Sequence, residues 1–390
     1  MNPSYGFSSN EGGPSALSLF LTGRCNLNCH YCFVNKTNLD HTTANEECLR
    51  KSIDVLFSYP GKTKNISFKG GEPLIAFPLI KRIYDYARQE ADKKHIILNG
   101  AIVTNGTLLK QEMIDYFIRS RISVAISIDG TKASHDRNRP FKGSSDESSF
   151  NKIISIIEKM KFGPLKLTAS MVFTPSDIEF LIENVRFLNG KGFFCVEFYP
   201  DLYARWMLKD FDVIEKVFRD FATYYIDLFN GEEKIFKNHG IDAVVNGCGE
   251  STMDRCAELH LSPEGEYYVC DKVFSLTSED RKRYVVGDAE NGVNEQKRRE
   301  MLQWLREDFA SDSKLECLGC EYRSYCFCPI GHHIYASTQK AKGHGGAAQD
   351  FYQAFCRFSR IYSQTFLRIQ SALRYNLRFI ELYQFVVSAR

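Results

Sequence analysis

Between residues 17 and 229, short apolar runs alternate with amphipathic stretches. The runs are 17–22, 65–69, 100–104, 123–128, 166–173 and 194–199, and their length suits buried strands rather than helices. Residues 45–59 repeat at helical spacing, with Cys48, Ile53, Leu56 and Phe57 sharing a face. The same period predicts helices over 78–92, 111–120, 150–160 and 178–190, and a long aromatic-rich one over 211–229. Three of the strands run into turn signals: Gly70-Gly71, Asn105-Gly106 and Asp129-Gly130. Six strand–helix repeats predict an α/β fold with a parallel sheet and right-handed crossovers. Six repeats, where a closed TIM barrel has eight, predict a partial (β/α)6 barrel open enough to admit a bulky substrate.

The rhythm stops in the charge-mixed stretch 231–245. Beyond it cysteines dominate, with a hairpin signal over 262–269 and a helical, aromatic- and Arg-rich stretch over 357–389 that should pack back on the body. The expected division is a loose Gly/Ser/Asn-rich cap at 1–15, the barrel at 16–240, a small cysteine-rich domain at 241–360 and a C-terminal helical extension at 361–390.

Composition narrows the class. The 390 residues are 44% hydrophobic and 25% charged, enough to bury a large core. A formal charge of +2 makes no case for nucleic acid or an acidic membrane. No apolar run approaches the ~20 residues of a membrane span, and the first residues lack a signal-peptide pattern. A cytoplasmic location is expected, where 13 cysteines point to metal sites rather than disulfides.

The densest chemistry is Arg24 to Phe33, R-C-N-L-N-C-H-Y-C-F, with Cys25, Cys29 and Cys32 at C-x3-C-x2-C spacing. Three thiolates can bind three irons of a cubane cluster and leave the fourth open. Zinc and plain structural burial are the alternatives; zinc favours paired C-x2-C units, and His30 lies inside the loop. With Tyr31 before the last cysteine, the motif resembles the signature of radical S-adenosylmethionine (radical SAM) enzymes. That resemblance implies a [4Fe–4S] cluster whose open iron chelates S-adenosylmethionine, and cleavage to a hydrogen-abstracting 5′-deoxyadenosyl radical. It also implies cofactor contacts: Gly70, Gly71 and Glu72 of G-G-E-P at the methionine amino group, Ser127 at the ribose, Arg139 at the carboxylate, and Tyr31 and Leu202 near the adenine. Read without the family, Ser127 and Leu202 are ordinary strand-end residues, Arg139 belongs to a polar surface run, and Asn105-Gly106 is a turn.

Eight more cysteines follow: Cys248, Cys256, Cys270, then Cys317, Cys320, Cys326 and Cys328, and finally Cys356. Two zinc ions would also use eight. Behind a radical SAM barrel the layout resembles the SPASM domain, which implies two auxiliary [4Fe–4S] clusters, three clusters in all. Family interleaving assigns Cys248, Cys256, Cys270 and Cys328 to one and Cys317, Cys320, Cys326 and Cys356 to the other. The C-x-C at Cys326 and Cys328 departs from the family's C-x3-C and puts the role of Cys328 in doubt. Asp271, directly after Cys270, matches the aspartate proposed as base in anaerobic sulfatase-maturating enzymes. Cys48 and Cys195 read as small buried hydrophobes.

The implied function is a maturase that oxidises or crosslinks a side chain of a ribosomally made peptide or protein, fed by an electron donor such as flavodoxin or ferredoxin. A formylglycine-forming sulfatase maturase is the alternative within the class. A small-molecule dehydrogenase using the same radical route, and a zinc-rich binding protein without redox chemistry, lie outside it.

Overall fold

One face of each strand explains the sheet. Leu17 and Leu19, Ile66 and Phe68, Val124 and Ile126, Ala169 and Met171, and Val196 and Phe198 alternate with smaller or polar residues, and all are buried. That alternation places one apolar row per strand beneath the helices. A computed structural model describes residues 13–34, 42–143, 147–201, 203–245, 258–313, 320–322, 325–326, 331, 333–337 and 345–384.

Strands β1 (Ala16–Phe20), β2 (Thr63–Lys69), β3 (Ile97–Thr104), β4 (Ile122–Ser127), β5 (Leu167–Phe173) and β6 (Cys195–Pro200) lie side by side in chain order, all parallel. Helices α1 (Glu46–Ser58), α2 (Phe77–Lys93), α3 (Gln111–Ser120), α4 (Lys132–Asn138), α5 (Ser149–Lys159), α6 (Leu181–Gly190) and α7 (Leu208–Asn230) connect or follow them. Asn45 caps α1 through its side chain, which accepts from the Glu47 amide. The expected partial barrel is therefore present. Its inner face departs from a packed TIM barrel, whose interior is filled by bulky branched residues. In register across the strands stand Ser18, Ser67, Ala101 and Ser123, and beyond them Ser127, Ser170 and Glu197. Small side chains leave a cavity where large ones would fill it.

Two features differ from the sequence reading. The polar run up to Arg139 forms α4 and its C-cap, and His135, Asn138 and Arg139 are buried, so they face inward. The sheet also does not stop at the charge-mixed stretch. After α8 (His239–Val245), β7 (Glu258–Leu261) pairs parallel with β1, and β8 (Glu266–Tyr268), β9 (Val285–Asp288) and β10 (Gly292–Val293) extend the sheet antiparallel to ten strands. The β7–β8 hairpin falls where its turn signal lies, with Gly265 at φ +90°.

The late helices Gly345–Leu373 and Leu377–Gln384 close the far side. Tyr362 donates to the Phe198 carbonyl at 2.7 Å, and the buried Tyr383 and Tyr225 hydroxyls meet at 2.7 Å. Phe198, Phe218, Phe221, Phe358 and Phe366 fill the seam, each buried; such a side chain contributes about 1.5–3 kcal/mol. Among the described residues, no helix is long and apolar enough to cross a membrane.

Candidate active site

The cysteine motif follows β1 and folds back over the C-terminal ends of the neighbouring strands, where βα-barrels carry their chemistry. Main-chain hydrogen bonds hold it from several sides. The Gly71 amide donates to the Thr22 carbonyl at 2.7 Å and the Glu72 amide to Arg24 at 2.8 Å. From the other side, the Asn28 amide donates to Pro140 at 2.8 Å and the His30 amide to Asn138 at 2.9 Å.

The glycines make this docking possible. A Cβ on Gly71 would stand 2.3 Å from the Arg24 carbonyl oxygen, and one on Gly70, which has φ +138°, 2.4 Å from that of Thr22. Glu72 then braces the turn from beneath. It is fully buried, and its carboxylate accepts from the Leu74 amide (2.9 Å), the Thr104 hydroxyl (2.7 Å) and the Asn105 amide (2.7 Å). Burial raises its pKa to about 7 against those hydrogen bonds. Gly70 and Gly71 line the cavity; Glu72 does not line it.

Cys25, Cys29 and Cys32 all face one cavity of about 520 Å³. Cys25 Sγ accepts from the Leu27 amide at 3.4 Å and lies 3.7 Å from the Asn105 side-chain amide. Burial pushes the Cys25 thiol up to about 11 and that of Cys29 to about 12, the latter opposed by the Arg139 guanidinium. Cys25 and Cys29 ionise poorly on their own; bound metal supplies the compensating positive charge. The donor set therefore fits an iron–sulfur cluster held on three sides.

Tyr31, Ser127 and Arg139 line the same cavity. Asp129, at the end of β4, organises two of them. Arg139 Nε and Nη2 each donate to it at 2.9 Å in a buried bidentate pair, and the Tyr31 hydroxyl also donates to it. The guanidinium lies 5.2 Å from the Tyr31 ring centre. Two Arg139 nitrogens are thus committed to Asp129 inside the protein.

Asp271 lines the same cavity, between Lys272 at 3.3 Å and Lys69 at 3.7 Å. Burial alone would raise its pKa, but Lys272, Lys69 and His260 overturn that and hold it well below the usual carboxylate range. Lys69 also approaches Glu258 at 3.6 Å, and Glu258 accepts from the Ser18 hydroxyl. The sequence reading missed Lys69, Glu258, His260 and Asp129. Asp129 and Lys69 stand next to motifs already singled out, so a strand-end position was the available signal. Glu258 and His260 had none before β7 was known to flank β1.

Of the later cysteines, Cys270, Cys320, Cys326 and Cys356 are described, and Cys320 lies near enough to Cys356 to raise its pKa, behind the larger effect of burial. Cys248, Cys256, Cys317, Cys328 and Leu202 lie outside the described residues.

Comparison with known proteins follows the same lines. Residues 19–184 match the Radical SAM superfamily. An uncharacterized protein of Methanocaldococcus jannaschii, MJ0907, is 34% identical over 189 residues, 48% of this chain and 62% of the relative. The cysteine-type anaerobic sulfatase-maturating enzyme of Clostridium perfringens is 23% identical over 63% of this chain and 71% of its own length. The antilisterial bacteriocin subtilosin biosynthesis protein AlbA of Bacillus subtilis is 30% identical over 44% of this chain and 37% of its own. Among solved structures, native anSMEcpe with bound AdoMet and Cp18Cys peptide superposes with a TM-score of 0.66 at 18% identity, covering 96% of this chain and 99% of that one. At that identity the likeness is one of fold.

Proposed function

We propose that this chain, which carries a radical SAM domain over residues 19–184, is a maturase that removes hydrogen from a side chain of a ribosomally made peptide or small protein and leaves it oxidised or crosslinked. The observation that carries the reading is one cavity of about 520 Å³ lined by Cys25, Cys29 and Cys32 and also by Asp271, Lys272 and Lys69. That volume lies within the range of ligand pockets, and the small-residue strand face keeps it open. When bound, a [4Fe–4S] cluster and S-adenosylmethionine supply a hydrogen-abstracting carbon radical.

The chain's own groups have separate tasks. Cys25, Cys29 and Cys32 hold the cluster. Gly70, Gly71, Ser127 and Tyr31 bound the nucleotide's space, and Arg139 adds positive charge beside it. Asp271, kept ionised by its lysines, accepts the proton that an oxidised side chain must lose. In this reading residues 16–240 form the barrel and 241–360 the SPASM domain. Cys248, Cys256, Cys270 and Cys328, and Cys317, Cys320, Cys326 and Cys356, hold two auxiliary clusters through which the electron leaves. A small redox protein such as flavodoxin or ferredoxin delivers electrons, in the cytoplasm. Likeness to AlbA, a bacteriocin biosynthesis protein, supports a peptide substrate.

A second reading, formylglycine formation in a sulfatase, draws on the Cys270-Asp271 pair and the Clostridium perfringens relative. One experiment tests both. Anaerobically reconstituted protein should hold about twelve iron and twelve sulfide per chain if three such clusters form, and should cleave S-adenosylmethionine to 5′-deoxyadenosine when reduced. Cys29→Ala should abolish cleavage, and cleavage that survives this change refutes the reading. Mass spectra of the incubated substrate then separate loss of two hydrogens with a new linkage from an aldehyde. Zinc without sulfide would return the chain to the binding-protein class.

A further inference from the structure

On the far edge of the barrel, five strands from the cysteine motif, a second set of donor atoms converges. Cys195 and Glu197 are two residues apart on β6, so their side chains leave the strand on the same side. The segment before α8 then lies along β6 in parallel: Lys237 bridges Cys195, the Val196 amide donates to the Lys237 carbonyl at 2.9 Å, and the Asn238 side chain donates to the Val196 carbonyl at 2.9 Å. Two residues further along each segment, that register puts His239 beside Glu197. Imidazole Nδ1 and carboxylate Oε1 touch, and Cys195 Sγ lies 3.8 Å from the same oxygen. One donor atom from each of the three falls within 4.8 Å of the other two.

We propose that Cys195, Glu197 and His239 form a zinc site. Tetrahedral zinc with bonds of 2.0–2.3 Å sets its ligands roughly 3.3–3.9 Å apart; Cys195 and Glu197 already show that spacing at 3.8 Å, and the touching His239 and Glu197 atoms would move apart to take an ion between them. One thiolate and one carboxylate match a divalent charge, and a mixed sulfur, nitrogen and oxygen set suits zinc while the thiolate disfavours magnesium and calcium. The outer contacts are those of a ligand set. Tyr199 donates to Glu197 Oε2 at 2.7 Å, which orients the carboxylate and leaves Oε1 for the metal. Behind the thiol, buried Lys237 is paired with Asp242 at 3.0 Å. A core cysteine packed as a small hydrophobe has no need of a carboxylate and an imidazole at its sulfur.

Cys195 is fully buried, whereas Glu197 and His239 line the cavity. Three protein ligands leave a fourth position, and the cavity is where it opens. Water, or a thiolate or carboxylate of a substrate in the cavity, takes that position. The site depends on neither the cysteine loop nor the reaction proposed above.

The test uses the full chain, reconstituted anaerobically so that its iron sites are filled, then titrated with Zn²⁺ against a colorimetric chelator. One tight zinc equivalent is expected beyond the iron. Glu197→Gln and His239→Gln should each weaken it by at least the roughly 10–100-fold that loss of an outer partner alone costs, at unchanged iron content. Cys25→Ala should lose iron and keep this zinc, which separates failure of the site from failure of the proposed reaction. Cobalt in place of zinc should show a thiolate-to-metal charge-transfer band that Cys195→Ala removes. If the buried Cys195 variant fails to fold, the two cavity-lining variants carry the result. No tight zinc on the iron-filled chain, or equal affinity in Glu197→Gln and His239→Gln, overturns the proposal.

Discussion

The wall of the cavity that carries Cys25, Cys29 and Cys32 is held by main-chain hydrogen bonds, whereas the wall that carries Asp271 is held by ion pairs. In the first, amides of Gly71, Glu72, Asn28 and His30 lock the loop from two sides. In the second, Lys69 and Lys272 face Asp271 and Glu258 at 3.3–3.7 Å. A backbone lattice is stiff and does not depend on pH, which suits a group that must stay in place. Charged side chains can exchange protons, which suits the side where a substrate loses one. On the cysteine side, the buried Arg139–Asp129 pair fixes Tyr31 with the same carboxylate that holds the guanidinium.

That contrast can be broken in order of size. Asp129→Ala should cost most, about 3–5 kcal/mol, because it strands a buried guanidinium; the urea midpoint would show it, and loss of Tyr31 order should follow.

His135 comes next. It is fully buried, with Nδ1 accepting from the Asp129 amide, and burial lowers its pKa from 6.5 to about 4. The unfolded chain takes the proton first, so this contribution is present above pH ~6.5 and is lost as pH falls toward ~4, up to about 3 kcal/mol. Stability of His135→Gln measured across that window should fall less steeply than that of the native chain.

Gly71→Ala forces a methyl group against the Arg24 carbonyl and should cost about 1–3 kcal/mol. Its diagnostic effect is reduced iron loading on reconstitution, because the strain falls on the cysteine loop. Full loading in this variant would show that the loop yields without losing its grip.

The smallest effect is expected from Lys69→Met on the ionic wall. Removing that charge lets the Asp271 pKa rise, so the acid limb of a turnover profile should move to higher pH. An unmoved limb would mean that Lys272 alone sets the Asp271 charge.

Residue pattern alone carried much of this protein. Strand and helix periods predicted a parallel sheet of six strand–helix repeats, and the helix over Gln111–Ser120 falls where the period places it, because one apolar row per strand and one apolar stripe per helix are written in the local pattern. The cysteine triplet and Gly70-Gly71 were legible for a similar reason: their spacing is local, and local geometry follows from local residues. What tertiary structure decided is non-local. No spacing relates Glu258 to Ser18, or His239 to Glu197; pairing of β7 with β1, and of the segment around Lys237 with β6, brings them together. Burial of Arg139 and His135 beneath a polar-looking helix is of the same kind, since a charge is stable there only beside Asp129, whose position is set by the end of a different strand.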